Sequence, residues 1–165
     1  MITFGFTMEV EGILAEVDTE YAMNKITKQI HQEIGETLHG TFLPRHFQPS
    51  AAGRYGYTPR SQHTREIRRR QVEQGKAISA GQDLVKTGKT RTRATGLGIV
   101  RAYPRRGEVT FYVPHYVLKR QKSGSINLRR ELETISVSES KQVRDLAETR
   151  LLELIRAHKK RRRLK

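Results

Sequence analysis

The sequence predicts an α+β fold in which two main helices pack on a small, mostly antiparallel sheet. Apolar residues alternate near the N-terminus and again after residue 97, and they recur every three or four residues in two longer stretches. A chain of 165 residues is long enough for one domain with a modest core. We place this domain at residues 1–158, with an extended basic loop at 44–82, and a basic tail at 159–165.

The first strand and the first long helix have different apolar patterns. Alternation from Ile2 to Val10 predicts a strand with one face in the core. We expect the following helix to end at Pro44, because proline disfavours the α conformation of the residue before it. Gly35 and Gly40 weaken the last turns of this helix and would let another backbone approach closely. The apolar stripe of the helix consists of Met23, Ile26, Ile30, Ile34, Leu38 and Phe42.

A hairpin and a second long helix follow in the C-terminal half. Apolar residues between Leu97 and Tyr103 predict a strand, residues 104–107 a turn, and the alternation after Val109 a second strand. Ser136 and Glu139 have the spacing of a capping box at the start of the last helix. The stripe of this helix consists of Val143, Leu146, Ala147, Arg150, Leu151, Leu154 and Ile155.

Positive charge is distributed unevenly along the chain. The sequence has 32 Lys and Arg residues against 17 Asp and Glu residues, which gives a net charge of +15. Residues 1–42 carry a net charge of −5, residues 43–130 of +16, and residues 131–165 of +4. A surplus in the middle of the chain indicates a face or loop that meets an anionic partner, either nucleic acid or an acidic protein surface. A generally basic composition is the alternative explanation.

The sequence contains no complete motif for catalysis, for a cofactor or for a metal ion. Gly88-Lys89-Thr90 resembles the end of a phosphate-binding loop, but Asp83 stands where that loop needs its first glycine. There is no cysteine, and the six histidines lack the spacing of metal ligands, so we interpret them as surface or capping residues. We therefore predict a protein that is not an enzyme and has no cofactor or metal site. No apolar run approaches the roughly 18 residues that a membrane helix needs, so we predict no membrane contact.

Residues 45–76 combine many arginines and two tyrosines with almost no aliphatic side chains. Such a segment cannot bury enough apolar area to fold alone, so we interpret it as an extended functional loop, with at most a weak basic helix at 64–76. Arginine neutralises phosphates, tyrosine stacks on bases, and both anchor protein interfaces. We expect alanine at positions 54, 55, 57 and 60 to leave the fold intact. The predicted contact residues are Arg54, Tyr55, Tyr57, Arg60, Arg65, Arg68, Arg69 and Arg70.

A second candidate contact lies at the C-terminal end of the sequence. Five consecutive cations follow the predicted last helix, and cations are favourable at a helix C-terminus. We interpret them as a basic tail that contacts a partner or nucleic acid, with a frayed helix end as the alternative. These residues are Lys159, Lys160, Arg161, Arg162 and Arg163.

Four short segments carry a resemblance to a known family. Leu43–Phe47 and Ala51–Ser61 follow the first helix, and Asp83–Gly88 and Arg130–Leu132 come later. In this order they resemble the tail-completion and neck proteins of long-tailed bacteriophages, often labelled minor tail components. The resemblance covers roughly residues 35–155.

The resemblance implies a structural virion protein that forms part of a ring at the head–tail junction and is assembled in the host cytoplasm. Such a subunit acts by contacts within a homo-oligomeric ring and with neighbouring neck, connector or tail-tube proteins, and packaged DNA is a further contact. An acidic N-terminal region and a basic loop would meet head to tail between identical subunits, which closes a ring. The alternative function is a stand-alone, basic nucleic-acid-binding protein of ribosomal type.

Overall fold

The α+β class predicted from the sequence is confirmed by a computed structural model, which describes residues 1–7, 20–58, 60–77, 88–96, 98–118 and 127–163. A π-helical turn, Leu38–Phe42, and a 3-10 turn, Leu43–Phe47, connect α1 to α2. The strands and α-helices are β1 (Ile2–Phe6), α1 (Glu20–Thr37), α2 (Ala51–Tyr55), α3 (Gln62–Glu73), α4 (Lys89–Gly96), β2 (Gly98–Ala102), β3 (Gly107–Phe111), α5 (His115–Leu118), α6 (Leu128–Glu133) and α7 (Val137–Arg163).

The three strands form an antiparallel sheet in the order β1–β3–β2. Phe111 in the central strand pairs with Ile2 on one side and with Gly98 on the other. Along β1 every second side chain turns inward, as predicted, but the predicted continuation to Val10 lies outside the described residues. The predicted hairpin is confirmed, and its turn is closed by a hydrogen bond of 2.8 Å from the Tyr103 N–H to the Arg106 carbonyl.

The helix α1 packs on the sheet through the predicted apolar stripe. Ile26, Ile30 and Ile34 are buried, and the stripe continues with buried side chains through the π-helical turn. Leu38 and Phe42 therefore stay in the core although the helix proper ends at Thr37. The prediction that this helix ends at Pro44 is wrong: the α-helix ends at Thr37, and helical turns continue past Pro44. Pro44 is tolerated there because it lies in the first turn of the 3-10 segment, where no N–H is needed.

The helix α7 packs on α1 and has 27 residues. Ala147, Leu151 and Ile155 are buried, as its predicted stripe requires. Arg150 of that stripe instead donates from Nε and Nη2 to both carboxylate oxygens of Glu33, at 2.6 and 2.9 Å. These hydrogen bonds from Arg150 lower the pKa of the Glu33 carboxyl. Neither α7 nor any other helix in the described part of the chain has the length and hydropathy of a membrane span.

Two segments that the sequence predicts as irregular contain helices. Of the predicted loop 44–82, the described residues form the 3-10 turn, α2 and α3, and of the predicted tail 159–165, residues 159–163 continue α7. The helix α3 begins where the Ser61 side chain accepts a hydrogen bond of 3.2 Å from the Thr64 N–H. Its arginine, glutamine and glutamate residues are good helix formers, and the Ser61 cap sets the position at which the helix begins.

Gly35 lies where α1 comes closest to the sheet. A Cβ atom at position 35 would be 2.4 Å from Cγ1 of Val100 and 3.4 Å from Cγ2 of Val109. The nearest neighbours at Gly35 are side chains, so the predicted close approach of another backbone is not confirmed there. At Gly40 no atom lies within 4 Å of such a Cβ, so no close approach exists there.

We expect Gly35→Ala to lower the free energy of unfolding by about 1–2 kcal/mol. Overpacking costs roughly 1–3 kcal/mol, and the higher helix propensity of alanine offsets only part of this cost. Gly40→Ala is the matched control and should stabilise the protein by up to about 1 kcal/mol. Urea unfolding midpoints at constant m-value measure both effects. A Gly35→Ala variant as stable as the wild type would show that α1 can move away from Val100 without cost.

Candidate functional site: a polar core cluster and two basic helices

The predicted contact residues separate into a buried group and an exposed group. Tyr55, Tyr57 and Arg60 are only 7, 6 and 6% exposed, so the prediction that they extend from a loop is wrong. Arg68 is half-buried, and the side chains at positions 162 and 163 are outside the described residues. The exposed group consists of Arg54, Arg65, Arg69, Arg70, Lys159, Lys160 and Arg161.

The two tyrosines reach the core because of a glycine between them. The helix α2 ends at Tyr55, and Gly56 adopts a left-handed conformation with φ of 62°. The chain then turns back, and the Tyr57 N–H donates to the Ala52 carbonyl at 3.0 Å. As a result the rings of Tyr55 and Tyr57 lie side by side, with centroids 5.6 Å apart.

His46 lies against both tyrosines and is buried. Its ring stacks on Tyr55 with centroids 3.8 Å apart and planes 8° from parallel. Its Nδ1 forms a hydrogen bond with the Tyr57 hydroxyl. Burial lowers the pKa of His46 to about 4, although the nearby Glu139 carboxylate and a hydrogen bond to the main chain of Glu131 act in the opposite direction. The imidazole is therefore neutral at pH 7, so its Nδ1 can accept a hydrogen bond from the Tyr57 hydroxyl.

His31 is also buried, at 1% exposure. Its Nδ1–H donates to the carbonyl of Tyr103 at 2.7 Å, which ties α1 to the hairpin turn. The interpretation of the histidines as surface or capping residues is thus wrong for His31 and His46.

Glu139 is fully buried and receives hydrogen bonds from three other residues. Its Oε1 accepts from the Tyr55 hydroxyl at 2.7 Å and from Arg45 at 3.3 Å. Its Oε2 accepts from the Ser136 N–H at 3.2 Å, and the Glu139 N–H donates back to Ser136 Oγ at 3.3 Å, which confirms the predicted capping box. Burial would raise the pKa of this carboxyl, but the hydrogen bonds from Tyr55, Ser136 and Arg45 outweigh it and lower the pKa.

Arg60 and Glu131 form a second buried ion pair. The guanidinium donates from Nη1 and Nη2 to both carboxylate oxygens, at 3.1 and 2.8 Å. Both residues are less than 9% exposed, so solvent screens the pair little. Removing one partner of such a pair typically costs about 3–5 kcal/mol, because the other charge stays buried without compensation.

We call these side chains the polar core cluster. Its hydrogen bonds join the segment after α1 to α6 and to the start of α7, over sequence separations of 71 to 94 residues. Burial and the neighbouring carboxylates raise the pKa values of both tyrosines, which therefore remain hydrogen-bond donors. The cluster thus holds the segment in place. Its members are Arg45, His46, Tyr55, Tyr57, Arg60, Glu131 and Glu139.

Apart from Arg54 on α2, the exposed cations that the sequence predicts lie on two helices. In α3 no residue is buried, and the ion pair of Arg69 with Glu73 is long, at 3.9 Å, and exposed. The last turns of α7 expose Lys159, Lys160 and Arg161. Sequence reasoning missed a third basic surface on α4, where Lys89, Arg91 and Arg93 are exposed while two neighbouring residues face the core. Its signal was present in the spacing of the cations.

A small apolar cavity adjoins the polar core cluster. Its volume of about 40 Å³ is far below the roughly 300 Å³ of a typical metabolite pocket. The groups of His, Asp and Glu in the described ranges include none that could hold a metal ion. The apolar lining of the cavity consists of Phe4, Leu38, Phe42, Leu43, Val109, Phe111, Leu132 and Ile135.

Comparison with protein families, with curated proteins and with solved structures found no match for this chain. The resemblance to phage neck and tail-completion proteins therefore stays a prediction. The structure describes three of its segments, the second without residue 59. Leu43–Phe47 and Ala51–Ser61 supply five members of the polar core cluster, and Arg130–Leu132 in α6 supplies Glu131.

We expect Tyr55→Phe to lower the free energy of unfolding at pH 7 by about 1–3 kcal/mol. The change keeps the stacked ring and removes one donor from the buried Glu139 carboxylate, and a lost partner of a buried polar group costs about this much. Tyr112→Phe is the control, because the Tyr112 ring is 41% exposed and surface changes cost less than about 0.5 kcal/mol. Urea unfolding of both variants is the measurement. Equal, small losses would mean that the Tyr55 hydroxyl contributes nothing to stability.

His46 should make the protein sensitive to acid. Its pKa is about 4 in the folded protein, against about 6.5 in an unfolded chain, so the unfolded state binds more protons between these values. Stability therefore rises with pH in this window. The contribution, about 3 kcal/mol, is complete above pH 6.5 and disappears as the pH falls towards 4.

Urea unfolding of the wild type and of His46→Gln between pH 7 and pH 4.5 isolates this contribution. We expect the wild type to lose more stability than the variant over that range. An NMR titration of the His46 ring gives its folded-state pKa directly. A pKa near 6.5 in that titration would refute the predicted acid sensitivity.

Proposed function

We propose that this protein is a structural virion protein of a tailed phage, which acts as a subunit of a homo-oligomeric ring at the head–tail junction. In this proposal it is assembled in the host cytoplasm and contacts neighbouring neck, connector or tail-tube proteins. The resemblance of its short segments supports the family, and the geometry of α3 supports the mode of action.

The observation that carries the proposal is a helix with no fully buried residue, of which Thr64, Arg68, Gln71 and Val72 are only half-buried. The helix α3 has 12 residues, and none of them is buried in the single chain. A helix of this length is marginal in water unless tertiary packing supports it. Ile67 is 41% exposed on this helix. A neighbouring subunit that covers Ile67 would add packing on the side of α3 that is exposed in the single chain.

The chemistry of α3 suits a protein partner. Arg70, three positions after Ile67, lies next to it on the helix surface, and Arg65 and Arg69 are exposed on the other side of the helix. Arginine beside an apolar side chain is typical of protein interfaces. A complementary negative charge exists in the same chain, since residues 1–42 have a net charge of −5. Four of the seven acidic residues in that range lie at positions 9–18, outside the described residues. Head-to-tail contact between unlike surfaces of identical subunits would close a ring.

The polar core cluster fixes the start of α3. Arg60 lies immediately before the Ser61 N-cap and is held by both oxygens of Glu131. The helix therefore leaves the core in a defined direction. An interface element that is already ordered loses less conformational entropy on binding, which favours assembly.

We expect the 19.0 kDa wild-type chain to form a discrete oligomer, measured by light scattering at low salt, and to dissociate at high salt. Arg65→Glu combined with Arg69→Glu should give a monomer with unchanged circular dichroism. Lys141→Glu combined with Arg144→Glu on α7 is the matched control, since it changes the net charge equally at two exposed positions outside α3 and outside residues 1–42.

Two results would contradict the proposal. A wild-type chain that stays monomeric at low salt and high concentration has no homo-oligomeric ring. If that monomer also binds nucleic acid tightly, the stand-alone nucleic-acid-binding function takes first place. Equal dissociation of both double variants would show that net charge, rather than α3, controls assembly.

A further inference from the structure

We propose that the C-terminal end of α7 binds the phosphate backbone of duplex DNA without sequence preference. The inference rests on the proposed function in one respect, because packaged DNA would be the natural source of the duplex. Its geometry and its test are independent of ring formation.

The end of α7 extends beyond the core of the protein. The last buried residue of the helix is Ile155, and the helix continues to Arg163. Eight further residues at about 1.5 Å each give an extension of about 12 Å. Arg156, Ala157 and the three cations that follow His158 are all exposed. In this part of the helix His158 is half-buried, and no side chain that the structure describes is fully buried.

Cations occupy more than one full turn of this helix end. Lys159 to Arg163 occupy five consecutive helical positions, and a helix has 3.6 residues per turn. No acidic residue follows Glu153 in the sequence. The cations stabilise the helix C-terminus itself. A run of cations longer than one helical turn matches a partner that presents negative charge on both walls of a groove, as duplex DNA does.

The residue types favour phosphate over an acidic protein surface. Protein interfaces form around apolar and aromatic anchors. Residues 156–163 contain no Leu, Ile, Val, Met, Phe, Tyr or Trp. Phosphate contacts need only cations and carry no sequence information. The helix α3 differs, because it exposes Ile67 with Arg70 next to it. The two basic helices are thus suited to different partners.

The test is fluorescence anisotropy of the full-length protein with two labelled 20-base-pair duplexes of unrelated sequence. We expect equal affinity for both duplexes. If five cations contact phosphates, log Kobs falls with log[NaCl] with a slope of about −4.5, so affinity drops about 500-fold between 50 and 200 mM NaCl. No binding by the wild type at 50 mM NaCl, or a strong preference for one duplex, would overturn the inference.

The variants separate this helix end from net charge. One variant replaces Lys159, Lys160, Arg161, Arg162 and Arg163 by glutamine, which preserves helix propensity. The matched control replaces five exposed cations elsewhere by glutamine: Lys25, Lys28, Arg91, Arg93 and Arg144. At 50 mM NaCl we expect the first variant to lose at least 100-fold in affinity and the control less than fivefold. Equal losses would refute a specific role of α7, and tighter binding to polyglutamate than to DNA would assign this helix end to an acidic protein instead.

Light scattering of the same samples distinguishes this inference from the proposed function. We expect the glutamine variant at 159–163 to assemble as the wild type does. Intact oligomers that fail to bind DNA in the wild type would refute the inference alone. DNA binding by a chain that never assembles would refute the ring and leave the inference standing.

Discussion

The buried carboxylate of Glu139 is the contact on which the arrangement of this fold depends. Because this carboxylate is fully buried, its charge must be compensated by hydrogen-bond donors of the protein. The donors come from three parts of the chain: Arg45 in the 3-10 turn, Tyr55 at the end of α2, and the main chain of Ser136 before α7. One side chain therefore both starts the longest helix and positions the segment that leads to α3.

The second buried ion pair extends this dependence to the surface. Arg60 follows Tyr55 by five residues and is held by Glu131, which lies eight residues before Glu139. Two carboxylates from one corner of the fold thus bind two points of one segment. Because a singly removed partner leaves a buried charge, neither pair can be exchanged one residue at a time. Such a cluster gives the segment a unique path, where an apolar core would have offered shape alone.

Sequence patterns predicted what is local and missed what is long-range. The stripe of α1, the alternation in β1 and the capping box of α7 each depend on spacings of two to four residues, and all were found. The prediction of an extended loop around Tyr55 is wrong because it rests on the lack of aliphatic residues. The segment is instead buried through ring stacking and hydrogen bonds. Its partners are 84 residues away for Tyr55 and 71 for Arg60. Nothing in the segment itself indicates which carboxylates those are.

Net charge counted along the sequence also overstates the positive surface of the middle region. Arg45 and Arg60 form ion pairs with buried carboxylates, so their charge is compensated within the protein. Exposed cations lie on α3, on α4 and at the end of α7, among other places, and their neighbours differ. On α3, Arg70 adjoins an exposed isoleucine, while at the end of α7 the cations follow one another without any apolar anchor. A single basic protein can therefore offer one surface suited to a protein and another suited to phosphate, and the apolar neighbours, rather than the charge, distinguish the two.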